Sequence, residues 1–318
     1  MDILERMDEE HAAVLEMIPP DLLDLSDIPA ARQIAAQLLE QMADQLPEVE
    51  GVTAHDRQAP GPDGDPAVPV RIYRPDGAEG SLPAMLWIHG GGMVLGNIDQ
   101  DDLFCKALAK EVDCTVVSVE YRLAPEHPYP APLEDCYAAL RWLVSNADEI
   151  GADASRIAIG GASAGGGLAA GLALLARDRG EVTIAFQLLI YPMVDDRNMT
   201  PSSHAITHPS VWNRDANIAG WRAYLGGEIG ADDVPPYAAP ARASDLSGLP
   251  PAYIAVGELD LFLDEDVEYG QRLLQAGVTT ELHVYPGAFH GSDTFVAGSE
   301  LSQRWVSDRN DALRRALA

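Results

Sequence analysis

Ser163 stands at the centre of Gly161-Ala162-Ser163-Ala164-Gly165, after the apolar run Arg156-Ile157-Ala158-Ile159 and before an Ala/Leu-rich segment of helical character. The pattern reads as strand, sharp turn and helix, with the serine at the apex. A turn this tight strains the serine backbone and tolerates only small neighbours. It also lifts the hydroxyl clear of the sheet, where it can attack a carbonyl. Such an attack builds negative charge on the carbonyl oxygen, which needs donors already in place. His89-Gly90-Gly91-Gly92 follows the apolar run 83–88 and offers main-chain N–H groups that no side chain obscures. The amide of Ala164, next to the serine, completes such a cradle. A phosphate loop is the competing reading, but the G-x-G-x-x-G spacing and a following Lys-Ser/Thr are missing.

A serine nucleophile needs a base, and the base needs an acid to orient it. Both are expected downstream, acid before histidine, each just past a strand. The run 251–256 is a strand followed by Gly257-Glu258-Leu259-Asp260, and the run 280–285 is another followed by Pro286-Gly287-Ala288-Phe289-His290. Asp260 and His290 therefore sit where open α/β sheets place their ligands. Asp264 and Asp266 compete for the acid role, although their place at the start of the next helix suits capping and the helix dipole. His283 competes as base from a mid-strand position. His89 belongs to the glycine loop, as a brace. His11, His55, His127, His204 and His208 form no metal-ligand spacing with one another or with cysteine, so no metal is expected, and a serine mechanism requires no organic cofactor.

These motifs in this order resemble the hormone-sensitive-lipase-like group of α/β-hydrolase esterases, also called bacterial family IV. The match is carried by His89-Gly90-Gly91-Gly92, Tyr121-Arg122-Leu123-Ala124-Pro125-Glu126-His127-Pro128, Gly161-Ala162-Ser163-Ala164-Gly165-Gly166, residues 260–265 and His290-Gly291. The resemblance implies an α/β-hydrolase fold with a helical cap. It also implies Ser163 as nucleophile, His290 as base, Asp260 as orienting acid, and the amides of Gly91, Gly92 and Ala164 as oxyanion donors. Many members carry Asp or Thr before the serine and an aromatic after the His-Gly pair, where this chain has Ala162 and Ser292. Dimers are common in the group, so a homodimer is one expectation. Within the stretch 121–128, an Arg122–Glu126 ion pair is expected to hold the loop.

The elements that must position these groups are legible from about residue 68 onward. Strand patterns alternate with helical ones there, which argues for a mostly parallel sheet covered by helices on both faces. A chain of 318 residues with 47% hydrophobic content can form one such domain. Two segments stand outside the pattern. Residues 1–46 carry helical periodicity through Ile3, Leu4, Met7, Val14, Leu15 and Met17, then Ile34, Ala35, Leu38 and Leu39. Residues 197–230 interrupt the sheet and hold Trp212, Trp221 and Tyr224. Both are expected to cap a catalytic core formed by 47–196 and 231–318, excluding water and shaping an apolar pocket. Met93, Trp212 and Trp221 are the expected pocket walls.

Charge narrows the partners. The net charge of −29 would repel nucleic acid and an anionic membrane surface, and it handicaps anionic substrates, leaving small neutral esters. Lys106 and Lys110 are the only lysines, a surface composition that suits either a salt-rich habitat or ordinary solubility. An acidic amino terminus argues against an export signal, and Cys105, Cys114 and Cys136 are too few for a disulfide framework, so a cytoplasmic location with reduced thiols is expected. Three readings compete: a carboxylesterase on small neutral, short-acyl esters, a lipase on long-chain acylglycerols, and a silent receptor on the same fold. Retention of His290 disfavours the last.

Overall fold

The computed structural model describes residues 3–15, 17–18, 23–43, 47–62 and 64–318. Met1 and Asp2, part of the acidic amino terminus, lie outside the described residues, as do the side chain of Leu4 and several positions of the expected amino-terminal cap. The strands are β1 (Val52–Ala59), β2 (Val68–Pro75), β3 (Leu82–Ile88), β4 (Thr115–Val119), β5 (Ala152–Ala162), β6 (Phe186–Ile190), β7 (Ala252–Leu259) and β8 (Thr280–Phe289). The helices are α1 (Glu9–Leu15), α2 (Ile28–Ala43), α3 (Asp102–Val112), α4 (Ala131–Ser145), α5 (Ala164–Arg179), α6 (Pro201–Ala205), α7 (Arg214–Leu225), α8 (Leu263–Gln275), α9 (Ser292–Phe295) and α10 (Glu300–Leu317).

The strands form one sheet in the order β1-β2-β4-β3-β5-β6-β7-β8. β1 and β2 pair antiparallel, as do β2 and β4, and all later pairings are parallel. Strands buried on both faces are apolar throughout, because successive side chains point to opposite sides. In β3, Ala84, Leu86 and Ile88 face the side covered by α4 and α5, in the same core as Leu140 and Leu172. Met85 and Trp87 point the other way, towards Cys105 and Leu108 of α3 and Trp305 and Leu313 of α10. The expected mostly parallel sheet with helices on both faces is what forms.

β1 had no counterpart in the sequence reading. It is an edge strand whose residues 56–58, Asp56-Arg57-Gln58, are all exposed, so it shows neither an apolar run nor clean alternation. β7 and β8 run further than their apolar cores, to Leu259 and Phe289, with a register irregularity between Gly257 and Leu259. That extension brings Asp260 and His290 to adjacent strand ends. The cysteines are buried and unpaired. Among the described residues, no helix is long and apolar enough to cross a membrane.

Candidate active site

Ser163 occupies the single position between β5 and α5, with φ 57° and ψ −121°. A non-glycine residue holds a positive φ only when its surroundings enforce it. Here the Ser163 amide donates to the Ile190 carbonyl at 2.9 Å, and the Ser163 carbonyl accepts from Met193 and Gly167, each at 3.0 Å. The flanking glycines are steric necessities. A Cβ on Gly165 would collide with the Ile88 and His89 carbonyls at the end of β3, and one on Gly161 would collide with Gly165. The hydroxyl is thus fixed at the carboxyl end of the sheet.

His290, the residue after β8, turns its ring back to the serine. Its Nε2 lies 2.9 Å from Ser163 Oγ and its Nδ1 lies 2.8 Å from Asp260 Oδ2. Asp260 follows β7 directly, is fully buried, and accepts a second hydrogen bond from the Phe262 amide at 2.9 Å. The imidazole is held edge-on by Tyr191, at 4.6 Å between centroids, and by Phe262, at 5.2 Å. Tyr191, itself at φ 36°, anchors its hydroxyl on Asp293 at 3.0 Å.

Two of the competing groups, His283 and Asp264, are engaged elsewhere. His283 contacts Glu281 at 2.9 Å and Asp308 at 3.8 Å, and its ring stacks on Tyr285. Asp264 accepts from the Ser202 amide at 2.6 Å. Asp264 and Asp266 lie in the first turn of α8, as expected, but neither caps it: Phe262 is the residue before α8 and provides no side-chain cap. Because α8 begins at Leu263, Asp266 faces inward. It is fully buried, and neither carboxyl oxygen has a partner among the described residues. Burial, with Glu265 and Asp260 adding, pushes its carboxyl well above the ordinary range.

The glycine loop lies beside the serine: a Cβ on Gly90 would sit 3.5 Å from that of Ser163. Gly91 and Gly92 have φ of 113° and 62°, and the Gly91 carbonyl accepts from the Val94 and Leu95 amides. The amides of Gly91, Gly92 and Ala164 have no acceptor among the described residues, so all three are free to donate. His89 braces the loop from below. Its Nδ1–H donates to the Gly90 carbonyl at 2.8 Å, its ring stacks on Tyr121 at 4.2 Å, and the Tyr121 hydroxyl donates to the His89 carbonyl at 3.0 Å. Burial pushes its imidazole down to about 4, so it stays neutral at ordinary pH.

The expected Arg122–Glu126 ion pair does not form. The segment is not helical, so residues four apart do not face each other. Arg122 instead grips the buried Asp135 of α4, at 2.8 Å from Nε and 2.7 Å from Nη2, and also reaches Asp65. Glu126 pairs with Arg32 of α2 at 2.8 Å, and Arg32 also donates to the carbonyls of Val94 and Ala124. A cation distant in sequence therefore ties α2 to the glycine loop.

Ser163 and His290 open onto a cavity of about 320 Å³. Its walls come from both segments outside the sheet pattern, including Ile18, Leu23 and Leu38 from one and Ser210, Val211 and Trp212 from the other. Those segments touch, the Ser210 hydroxyl donating to the Ile18 carbonyl at 3.0 Å. Trp212 lines the cavity as expected, but Met93 and Trp221 do not. Both are fully buried in the core, Met93 turned inward by its own positive φ and Trp221 packed against Tyr224. Leu95, Tyr191, Phe295, Gln100 and Asp101 line it instead. Asp101 was hidden in the sequence because an aspartate just before a helix reads as a cap.

Comparison with known proteins agrees with this geometry. A family model described as the alpha/beta hydrolase fold matches residues 85–294. The chain is 42% identical over 263 residues to carboxylesterase NlhH of Mycobacterium tuberculosis, covering 81% of each protein. It is also 42% identical over 282 residues to esterase LipI of the same organism, covering 87% of this chain and 85% of that one. A solved structure titled bacterial heroin esterase superposes with a TM-score of 0.94 at 46% identity, over 99% of both chains. With its elbow serine, its sheet order and these relatives, the chain belongs to the α/β-hydrolase fold family, among the hormone-sensitive-lipase-like carboxylesterases.

Proposed function

We propose that the protein hydrolyses small neutral, short-acyl carboxylic esters through a serine acyl-enzyme. The observation that carries this reading is the unbroken line from Ser163 Oγ through the His290 imidazole to Asp260, at 2.9 and 2.8 Å. His290 Nε2 takes the hydroxyl proton as Ser163 attacks the ester carbonyl, and Asp260 stabilises the imidazolium that results. The amides of Gly91, Gly92 and Ala164 receive the oxyanion. The alcohol departs with the proton from His290, and water then repeats the sequence to free the acid and the serine.

The size of the cavity, at the small end of ligand pockets, favours short chains. The chain's negative charge works against anionic esters. In this reading residues 1–46 and 197–230 act together as the cap, since both segments contribute cavity walls. The test is Ser163→Ala assayed on p-nitrophenyl acetate, with organophosphate labelling of the wild type. Loss of turnover with an unchanged melting temperature, and one label per chain at Ser163, are expected. Wild-type turnover by the variant would remove the serine from its role. Activity rising steadily with acyl length would favour a lipase.

A further inference from the structure

The cavity has an uneven charge inventory. Among its described lining residues, Asp101 is the one carboxylate, and no lysine or arginine is present. Tyr191, Trp212 and Phe295 present aromatic surface to the same space. Asp101 immediately precedes α3, where an aspartate ordinarily accepts hydrogen bonds from the first helical amides, yet its side chain makes no such bond. Its Oδ2 accepts instead from the Trp87 indole N–H at 2.6 Å, and Oδ1 receives only a long contact, 3.4 Å, from Gln100 Nε2. No cationic side chain pairs with it among the described residues. One oxygen of a partly buried carboxylate is therefore left with acceptor capacity on the wall of an apolar cavity.

Burial pushes this carboxyl above its ordinary value, with Asp293 adding to the effect. An anion in such a place gains most from a cationic guest, and aromatic faces attract the same guest. The chain's overall negative charge concentrates cations near the surface. Asp101 and His290 line the same cavity, so a guest held by Asp101 occupies the space in which the ester reacts.

We propose that Asp101 is a specificity-determining residue that selects esters carrying an ammonium group, with Tyr191, Trp212 and Phe295 as aromatic walls for that group. The proposal rests on the esterase reading and extends it from neutral esters to cationic ones. The probes are acetylcholine and its neutral isostere, in which carbon replaces the quaternary nitrogen. Wild-type kcat/KM should favour the cationic ester by about ten-fold. Asp101→Asn should bring the ratio close to one, mainly through KM for the cationic ester, and Asp101→Glu should restore part of it. A wild-type ratio at or below one overturns the proposal without any variant, as does a ratio that Asp101→Asn leaves unchanged. Calorimetric binding of both probes to Ser163→Ala gives a readout independent of turnover. Tighter binding of the cation with no wild-type hydrolysis would keep the charge selection and sink the esterase reading. Hydrolysis of both probes with equal binding would do the reverse.

Discussion

The indole of Trp212 lies against Gly92 so closely that a methyl group on the glycine would collide with the far edge of the ring. Trp212 cannot retreat easily, being buried with its Nε1–H donating to Asn217 at 3.1 Å. Gly92→Ala must therefore displace the loop whose amides we propose as oxyanion donors, and its φ of 62° adds strain. We expect kcat on p-nitrophenyl acetate to fall about 10²-fold or more, the usual cost of losing one such donor. Gly227→Ala, at a site with open space around it, is the control and should retain wild-type rates.

Asp260→Asn tests the orientation of His290. The variant retains the acceptor for the Phe262 amide but removes the charge that matches the imidazolium. A fall in kcat of about 10⁴ with little change in KM and an intact circular dichroism spectrum is expected. A loss of less than ten-fold would assign the orienting role to another group.

Arg122 and Glu126 should behave very differently. Removing Arg122 leaves the buried Asp135 carboxylate without its counter-charge, a loss of about 3–5 kcal/mol. Glu126 is half exposed, and Glu126→Ala should cost about 1 kcal/mol or less. Urea unfolding of Arg122→Ala, Glu126→Ala and the double variant measures both, and the effects should add because the residues do not pair.

Asp266 makes stability depend on pH. Below its ordinary value of 3.8, folded and unfolded chains both hold the proton. As pH rises from there, the unfolded chain ionises first, so stability drains until the folded-state pKa, raised by burial, is passed. Asp266→Asn removes the titration. The variant should melt higher than the wild type at pH 8, with the gap closing as pH falls towards 4. A gap that does not vary with pH would mean that the carboxyl already has a partner.

Local chemistry was readable in the residues themselves. A strained serine turn demands small neighbours, a glycine loop exposes amides, and strands buried on both faces must be apolar throughout; each leaves a contiguous mark. The α/β sheet, the elbow at Ser163 and the loop positions of Asp260 and His290 follow from those marks. Features that depend on contacts between distant segments leave none. Edge strand β1 has too few buried residues for a pattern. Arg32 meets Glu126 only because α2 folds across the glycine loop, and Met93 turns inward only because its backbone bends at the elbow of that loop. Which side chains face the cavity, Asp101 among them, is decided when two helical segments close over the sheet. An aspartate before a helix has the same sequence whether it caps that helix or turns away from it, and packing alone distinguishes the two.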